Sequence, residues 1–232
     1  MYTSRDRLII FDADGTTIDA FGAIDKTFSR HGMDIGGLEN FQKRRRLFKY
    51  LGGIREFPVN LKKQFGSQSR KKLLATLTEV YRNDADLYPG IAALFSDLIA
   101  APDIRVGLVT RNITNDAEQT LRALFARSGV DLNALDFVHR IAVRDDKASQ
   151  FKRMREQFDI NPARCFTCGD EHHDYLAAIA SGMQPFIVSY GFEGYQRLAV
   201  KFGIPSEVIA RTPEIVCQRI RHALDLPAAR LG

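Results

Sequence analysis

Cysteine is scarce, with three in 232 residues. An odd number this small, with no secretory leader ahead of it, argues against a disulfide framework and for a reducing cytoplasm. The opening "MYTSRDRLII" sets charge beside a very short apolar run and lacks the h-region of a signal peptide. No stretch approaches the roughly 20 apolar residues that a membrane span needs. Internal repeats and low-complexity tracts are absent too, which excludes fibrous and disordered classes. Cys165 and Cys168 make a C-x-x-C in "RCFTCGD", but no second pair completes a zinc site. "CFTC" reads as a strand, in which positions i and i+3 face opposite ways, so both thiols are expected as buried strand residues.

What is present is the balance of an ordinary globular chain, 45% hydrophobic and 26% charged, enough for one large domain or one domain carrying an insert. The formal net charge of +5 is uneven. Residues 25–72 hold 13 Lys and Arg against four acids, a local balance of +9 that leaves −4 for the rest. Two units with different jobs are implied.

Short β-type runs alternate with helical stretches, the pattern of a parallel sheet covered by helices. Strands are expected near 7–11, 105–110, 137–143, 165–169 and 185–189, and helices near 90–100, 115–127, 148–158 and 174–181. In "NDAEQTLRALFARSG", Asn115 suits a cap, Asp116 and Glu118 suit the positive end, and Leu121, Leu124 and Phe125 form a stripe that stops before Gly129. "DYLAAIASG" runs to a Gly182 stop. Residues 17–87 carry helical patterns and no parallel strand, so they read as an insert, and Pro89 and Gly90 mark the return.

The strand "LIIF" ends by setting Asp12 and Asp14 one residue apart. Like charges so close need a cation, a proton or a chemical task. In a parallel sheet, ligands gather at the carboxyl ends of the strands. Those ends supply Asp12 and Asp14, then Thr110, Arg111 and Asn112, then Asp145, Asp146 and Lys147, then Asp170, Glu171 and Asp174. Clustered hard oxygens suit Mg²⁺. Beside such an ion one carboxylate can attack phosphorus while another manages protons.

"DADGT", Thr110 after an apolar strand, Lys147, and "GDEHHD" 22 residues beyond that lysine together resemble the haloacid dehalogenase-like (HAD) superfamily in order and approximate spacing. The resemblance continues into "AAIASGM" and spans the sheet domain. It implies a Rossmann-like α/β core at 1–16 and 88–232, with 17–87 as a helical C1 cap like that of phosphoglycolate phosphatase-like members. By the same resemblance Asp12 is the nucleophile and Asp14 the general acid and base, with its backbone carbonyl on Mg²⁺. Thr110 would bond the transferring phosphoryl group and Lys147 offset charge. Asp170 would complete the metal site, and Asp174 bind through water or orient the lysine. Arg111 and Asn112 stand as candidate substrate contacts. The chain departs from many relatives in Thr17 after "DGT" and in "DDKASQ", which lacks a Lys-Pro pair.

The expectation is a cytoplasmic, Mg²⁺-dependent phosphatase of a small phosphorylated metabolite, acting through an aspartyl phosphate. A phosphomutase would use the same aspartates. The basic run at 43–46, with Lys49 and Arg55, reads as a solvated helix face or as a clamp for a second anionic group. A nucleic-acid-binding or end-processing role is disfavoured, because no aromatic stacking platform accompanies the charge. No membrane partner is expected, Glu171, His172 and His173 read as rim residues, and the sequence does not fix oligomeric state or substrate.

Overall fold

A computed structural model describes residues 5–43, 70–142 and 145–227. Six parallel strands form one sheet: β1 (Arg7–Phe11), β2 (Ile104–Thr110), β3 (Phe137–Arg140), β4 (Cys165–Gly169), β5 (Gln184–Val188) and β6 (Ile209–Ala210), in the order β3-β2-β1-β4-β5-β6. Leu8, Ile9, Ile10 and Phe11 are all fully buried, as expected of a central strand with helices on both faces. Their alternation divides them: Ile9 and Phe11 join one apolar cluster, Leu8 and Ile10 another. Cys168 and Cys165 part in the same way, so the C-x-x-C is two buried free thiols on opposite faces.

The α-helices that accompany these strands are α1 (Ala20–Ser29), α2 (Leu38–Lys43), α3 (Arg70–Asn83), α4 (Ile91–Ala100), α5 (Ala117–Arg127), α6 (Lys147–Gln157), α7 (His172–Ala180) and α8 (Pro213–Ala223). Buried residues of α4, α5 and α8 cover the Ile9 face, whereas α6 and α7 cover the other. Ile24 and Phe28 of α1 and Leu77, Val80 and Tyr81 of α3 belong to the same cluster as Phe95 and Phe125, so the described part of the insert shares the core's apolar layer. No helix among the described residues is long and apolar enough to cross a membrane.

Two expectations shift. Asn115 does not cap α5: Asp116 holds that place at φ 50° with no side-chain cap bond, while the Asn115 N–H goes to the Thr78 hydroxyl at 2.9 Å and its carbonyl accepts from Thr120. The third strand ends at Arg140, and position 143 lies outside the described residues. After a π-helical turn at Gln196–Lys201, a two-residue strand, β6, closes the sheet edge and α8 follows it. The basic run Arg44 to Arg46, with Lys49 and Arg55, also falls outside the described residues.

Candidate active site

The strand order reverses between β2 and β4 on either side of β1, which puts a crevice at the carboxyl end of β1. Phe11 lies opposite Cys168 in the β1–β4 ladder, and the Asp12 N–H extends it to the Cys168 carbonyl at 2.8 Å. One residue past Phe11 and two past Cys168, the register brings Asp12 and Asp170 to one rim.

Lys147 reaches the same place from a neighbouring helix. Asp146 caps α6 by accepting from the Ala148 and Ser149 N–H groups at 3.1 and 3.0 Å, which fixes Lys147 as the first helical residue. Its Nζ lies 3.0 Å from Asp12 Oδ2 and 2.5 Å from Asp174 Oδ1. Asp174 is held in turn through Oδ2, which accepts from the Glu171 N–H at 3.0 Å in a capping box that starts α7. Asp170 accepts from the Thr16 hydroxyl at 3.3 Å and the Phe192 N–H at 2.6 Å. Gly15, at φ +81°, and Gly191 make that packing possible, because a Cβ on either would come within 2.4 Å of Asp170 Oδ2.

Among the described residues the charge does not close. Asp12, Asp170 and Asp174 each bring a carboxylate oxygen within 4.8 Å of the others, and Lys147 is the cation that reaches two of them. Burial pushes the Asp12 carboxyl up to about 7, with Lys147 pulling it down and Asp174 and Asp14 adding to the rise. Asp170 is driven well above the carboxylate range by burial and then by Glu171, Asp12 and Asp174. Lys147 loses to burial but gains more from Asp12 and Asp174, so it stays protonated. An oxygen-only donor set with this excess of negative charge fits a hard divalent cation.

Asp14 lives differently. Tyr81 of α3 donates to its Oδ1 at 2.8 Å, and Asn112 Nδ2 donates to Oδ1 and Oδ2 at 2.9 and 3.0 Å. Burial raises the Asp14 carboxyl, and these neutral donors pull it back. The Asn112 amide is aimed by Thr114, whose N–H bonds Asn112 Oδ1 at 3.0 Å.

Asp12, Asp14, Lys147, Asp170 and Asp174 therefore gather at one rim. Thr110 is buried beside them and accepts from the Asn112 N–H at 3.0 Å. Arg111 turns to the Asp145 carbonyl at 2.8 Å, at a more exposed position. Asn112, expected as a substrate contact, spends its amide on Asp14. The sequence reading did not single out Tyr81, Thr16 or the loop at Gly191 and Phe192. Paired glycines after β5 in "SYGFEG" could have flagged the loop, whereas a tyrosine on an apolar helical stripe looks like any core residue.

The model for haloacid dehalogenase-like hydrolases matches residues 7–182. A phosphoglycolate phosphatase of Rhodospirillum rubrum is 24% identical over 201 residues, 80% of this chain and 80% of that protein. Among solved structures, a haloacid dehalogenase-like protein of Agrobacterium tumefaciens superposes with a TM-score of 0.63 at 16% identity, over 94% of this chain and 97% of that one. A haloacid dehalogenase-like hydrolase of Streptococcus pneumoniae gives 0.57 at 18%, over 93% and 99%.

Proposed function

Because the chain belongs to the haloacid dehalogenase-like hydrolase family and is a phosphatase of it, we propose that it hydrolyses a small phosphomonoester with Asp12 as nucleophile and Asp14 as acid and base. The observation that carries this is Lys147, buried between Asp12 and Asp174 at the strand-order reversal, which steadies the attacking carboxylate without consuming it. Asp12 attacks phosphorus to form an acyl phosphate, while Asp14 gives its proton to the departing alkoxide. Asp14 then takes a proton from water as that water attacks the phosphorus, and Asp12 is freed. The Thr110 hydroxyl, which accepts a bond but donates none to the described residues, is positioned to donate to a phosphoryl oxygen.

The carboxylates of Asp12 and Asp170, with the Asp14 backbone carbonyl, would hold Mg²⁺, and Asp174 would orient Lys147. When bound, such an ion neutralises charge on the transferring phosphoryl group. Residues 17–87 act in this reading as a cap: Gln42 Nε2 donates to the Gly191 carbonyl at 2.7 Å, and the Phe41 ring lies 5.9 Å from that of Phe192, on the loop that holds Asp170. The R. rubrum relative makes phosphoglycolate the first substrate to try.

The test is phosphate release with Mg²⁺ across phosphoglycolate, sugar phosphates and nucleotides. Release from at least one small phosphomonoester is expected. No release from any would overturn the proposal, and isomer formation without release would replace it with a phosphomutase.

A further inference from the structure

The insert and the core meet on one carboxylate. Tyr81 lies one residue short of the last two of α3, almost wholly buried, and its hydroxyl reaches Asp14 and no other described group. Core residues bolt down that end of α3. The Arg127 guanidinium, from α5, donates to the Tyr81 carbonyl at 3.2 Å and also to the carbonyls of Arg82 and Ala85. Arg82 Nε bonds the Thr120 hydroxyl at 3.0 Å, and the Thr78 hydroxyl takes the Asn115 N–H. A side chain fixed this firmly at its backbone acts as a static bracket rather than as a moving lid.

The two oxygens of Asp14 are unequal as a result. Among the described residues, Oδ1 accepts from both Tyr81 and Asn112 and has no lone pair to spare, whereas Oδ2 accepts only from Asn112. We propose that Tyr81 is a positioning residue for catalysis: by occupying Oδ1 it makes Oδ2 the oxygen that gives a proton to the leaving group and takes one from water. As the O–H bond at Oδ2 breaks and the proton passes to the departing oxygen, the negative charge left on Asp14 is shared with the Tyr81 and Asn112 hydrogen bonds. Hydrogen bonds to a charged acceptor are stronger than those to a neutral one, so this pair gains strength as the proton leaves.

The inference rests on the acid and base role proposed above for Asp14, and its test separates the two. An alkoxide leaving group needs that proton, whereas p-nitrophenolate departs with little help. The kcat/KM values, which cover the steps up to departure of the leaving group and leave out the water step that both substrates share, are measured for phosphoglycolate and p-nitrophenyl phosphate with Mg²⁺ for the wild type, Tyr81→Phe, Asp14→Asn and the double variant. Tyr81→Phe is expected to lower the phosphoglycolate value about tenfold, the scale of one hydrogen bond to a charged group, and the other value less than about twofold. On the Asp14→Asn background it should change neither. The ratio of the two rates within one preparation is independent of the folded fraction, so a loss of stability does not obscure it. Equal losses on both substrates, no loss on either, or a further full loss on the Asp14→Asn background would overturn the role of Tyr81. Asp14→Asn with an unchanged phosphoglycolate rate would instead overturn the role of Asp14.

Discussion

Two charge triads in this molecule are near mirror images. At the rim, one ammonium, Lys147, sits between the carboxylates of Asp12 and Asp174. In the insert, one carboxylate, Asp84, sits between Lys26 at 3.0 Å and Arg30 at 2.7 Å, tying α1 to the chain just past α3. The side chains of Lys147, Asp174 and Asp12 are 3%, 2% and 12% exposed; those of Lys26, Arg30 and Asp84 are 49%, 39% and 23% exposed. Glu79, 3.9 Å from Arg30, together with water and salt, offsets the surplus positive charge of the second triad. The surplus negative charge of the first, with Asp170 beside it, must be met inside the protein. The same residue types therefore make a fastening in one place and a poised reagent in the other, and burial decides which.

The largest expected break in the comparison is at Asp12. Asp12→Asn should lower phosphatase turnover by about four orders of magnitude or more, because a carboxamide cannot form the acyl phosphate. Asp84→Asn should leave turnover unchanged. Phosphate release under saturating substrate checks both, and appreciable activity in Asp12→Asn would exclude it as nucleophile. Next in size, Lys147→Met should cost about 3–5 kcal/mol of stability at pH 8, the scale of a buried ion pair robbed of one partner. Lys26→Met should barely move the urea midpoint. Comparable midpoint shifts for the two lysines would erase the distinction drawn from burial.

Much of this was legible because burial leaves marks in sequence. A strand covered on both faces must be apolar throughout, so "LIIF" announced itself, and the acids following it had no packing reason to be there. Asp170 and Asp174 were legible for the same reason. What stayed hidden depends on pairing across elements. Asp84 meets Lys26 only once α1 and α3 lie side by side. Tyr81 carries the spacing of a core residue, and its hydroxyl acquires meaning only from Asp14 opposite. Asn115 had the composition of a cap, yet its N–H was claimed by Thr78 across a tertiary contact. β6, two residues long, was too short to leave a pattern.

A smaller effect sharpens the contrast through the metal. Mg²⁺ at about 100 times its dissociation constant should stabilise the folded protein by roughly 2.7 kcal/mol. Asp170→Asn should lose most of that gain, whereas Asp84→Asn should keep it. Thermal melts with Mg²⁺ and with EDTA read the difference, and an equal response from all three proteins would remove the rim acids from the metal site.

The expected effect in which the triads oppose each other in sign is the dependence on pH. The hydrogen bond and charge of Lys26, with Arg30, hold Asp84 below the usual carboxylate range. A carboxylate depressed on folding stabilises the protein above its unfolded value of about 3.9, and loses that contribution as pH falls through the folded value. Asp12, raised to about 7 by burial, runs the other way in metal-free protein: its contribution is intact below the unfolded value and is lost as pH rises toward 7. Melts in EDTA between about pH 3 and pH 8 should therefore show Asp84→Asn converging on the wild type as the solution is acidified, with added salt shrinking the gap. Asp12→Asn, which cannot ionise, should gain on the wild type as the solution is made alkaline. Parallel curves for the two variants would mean that the buried triad is as well solvated as the exposed one.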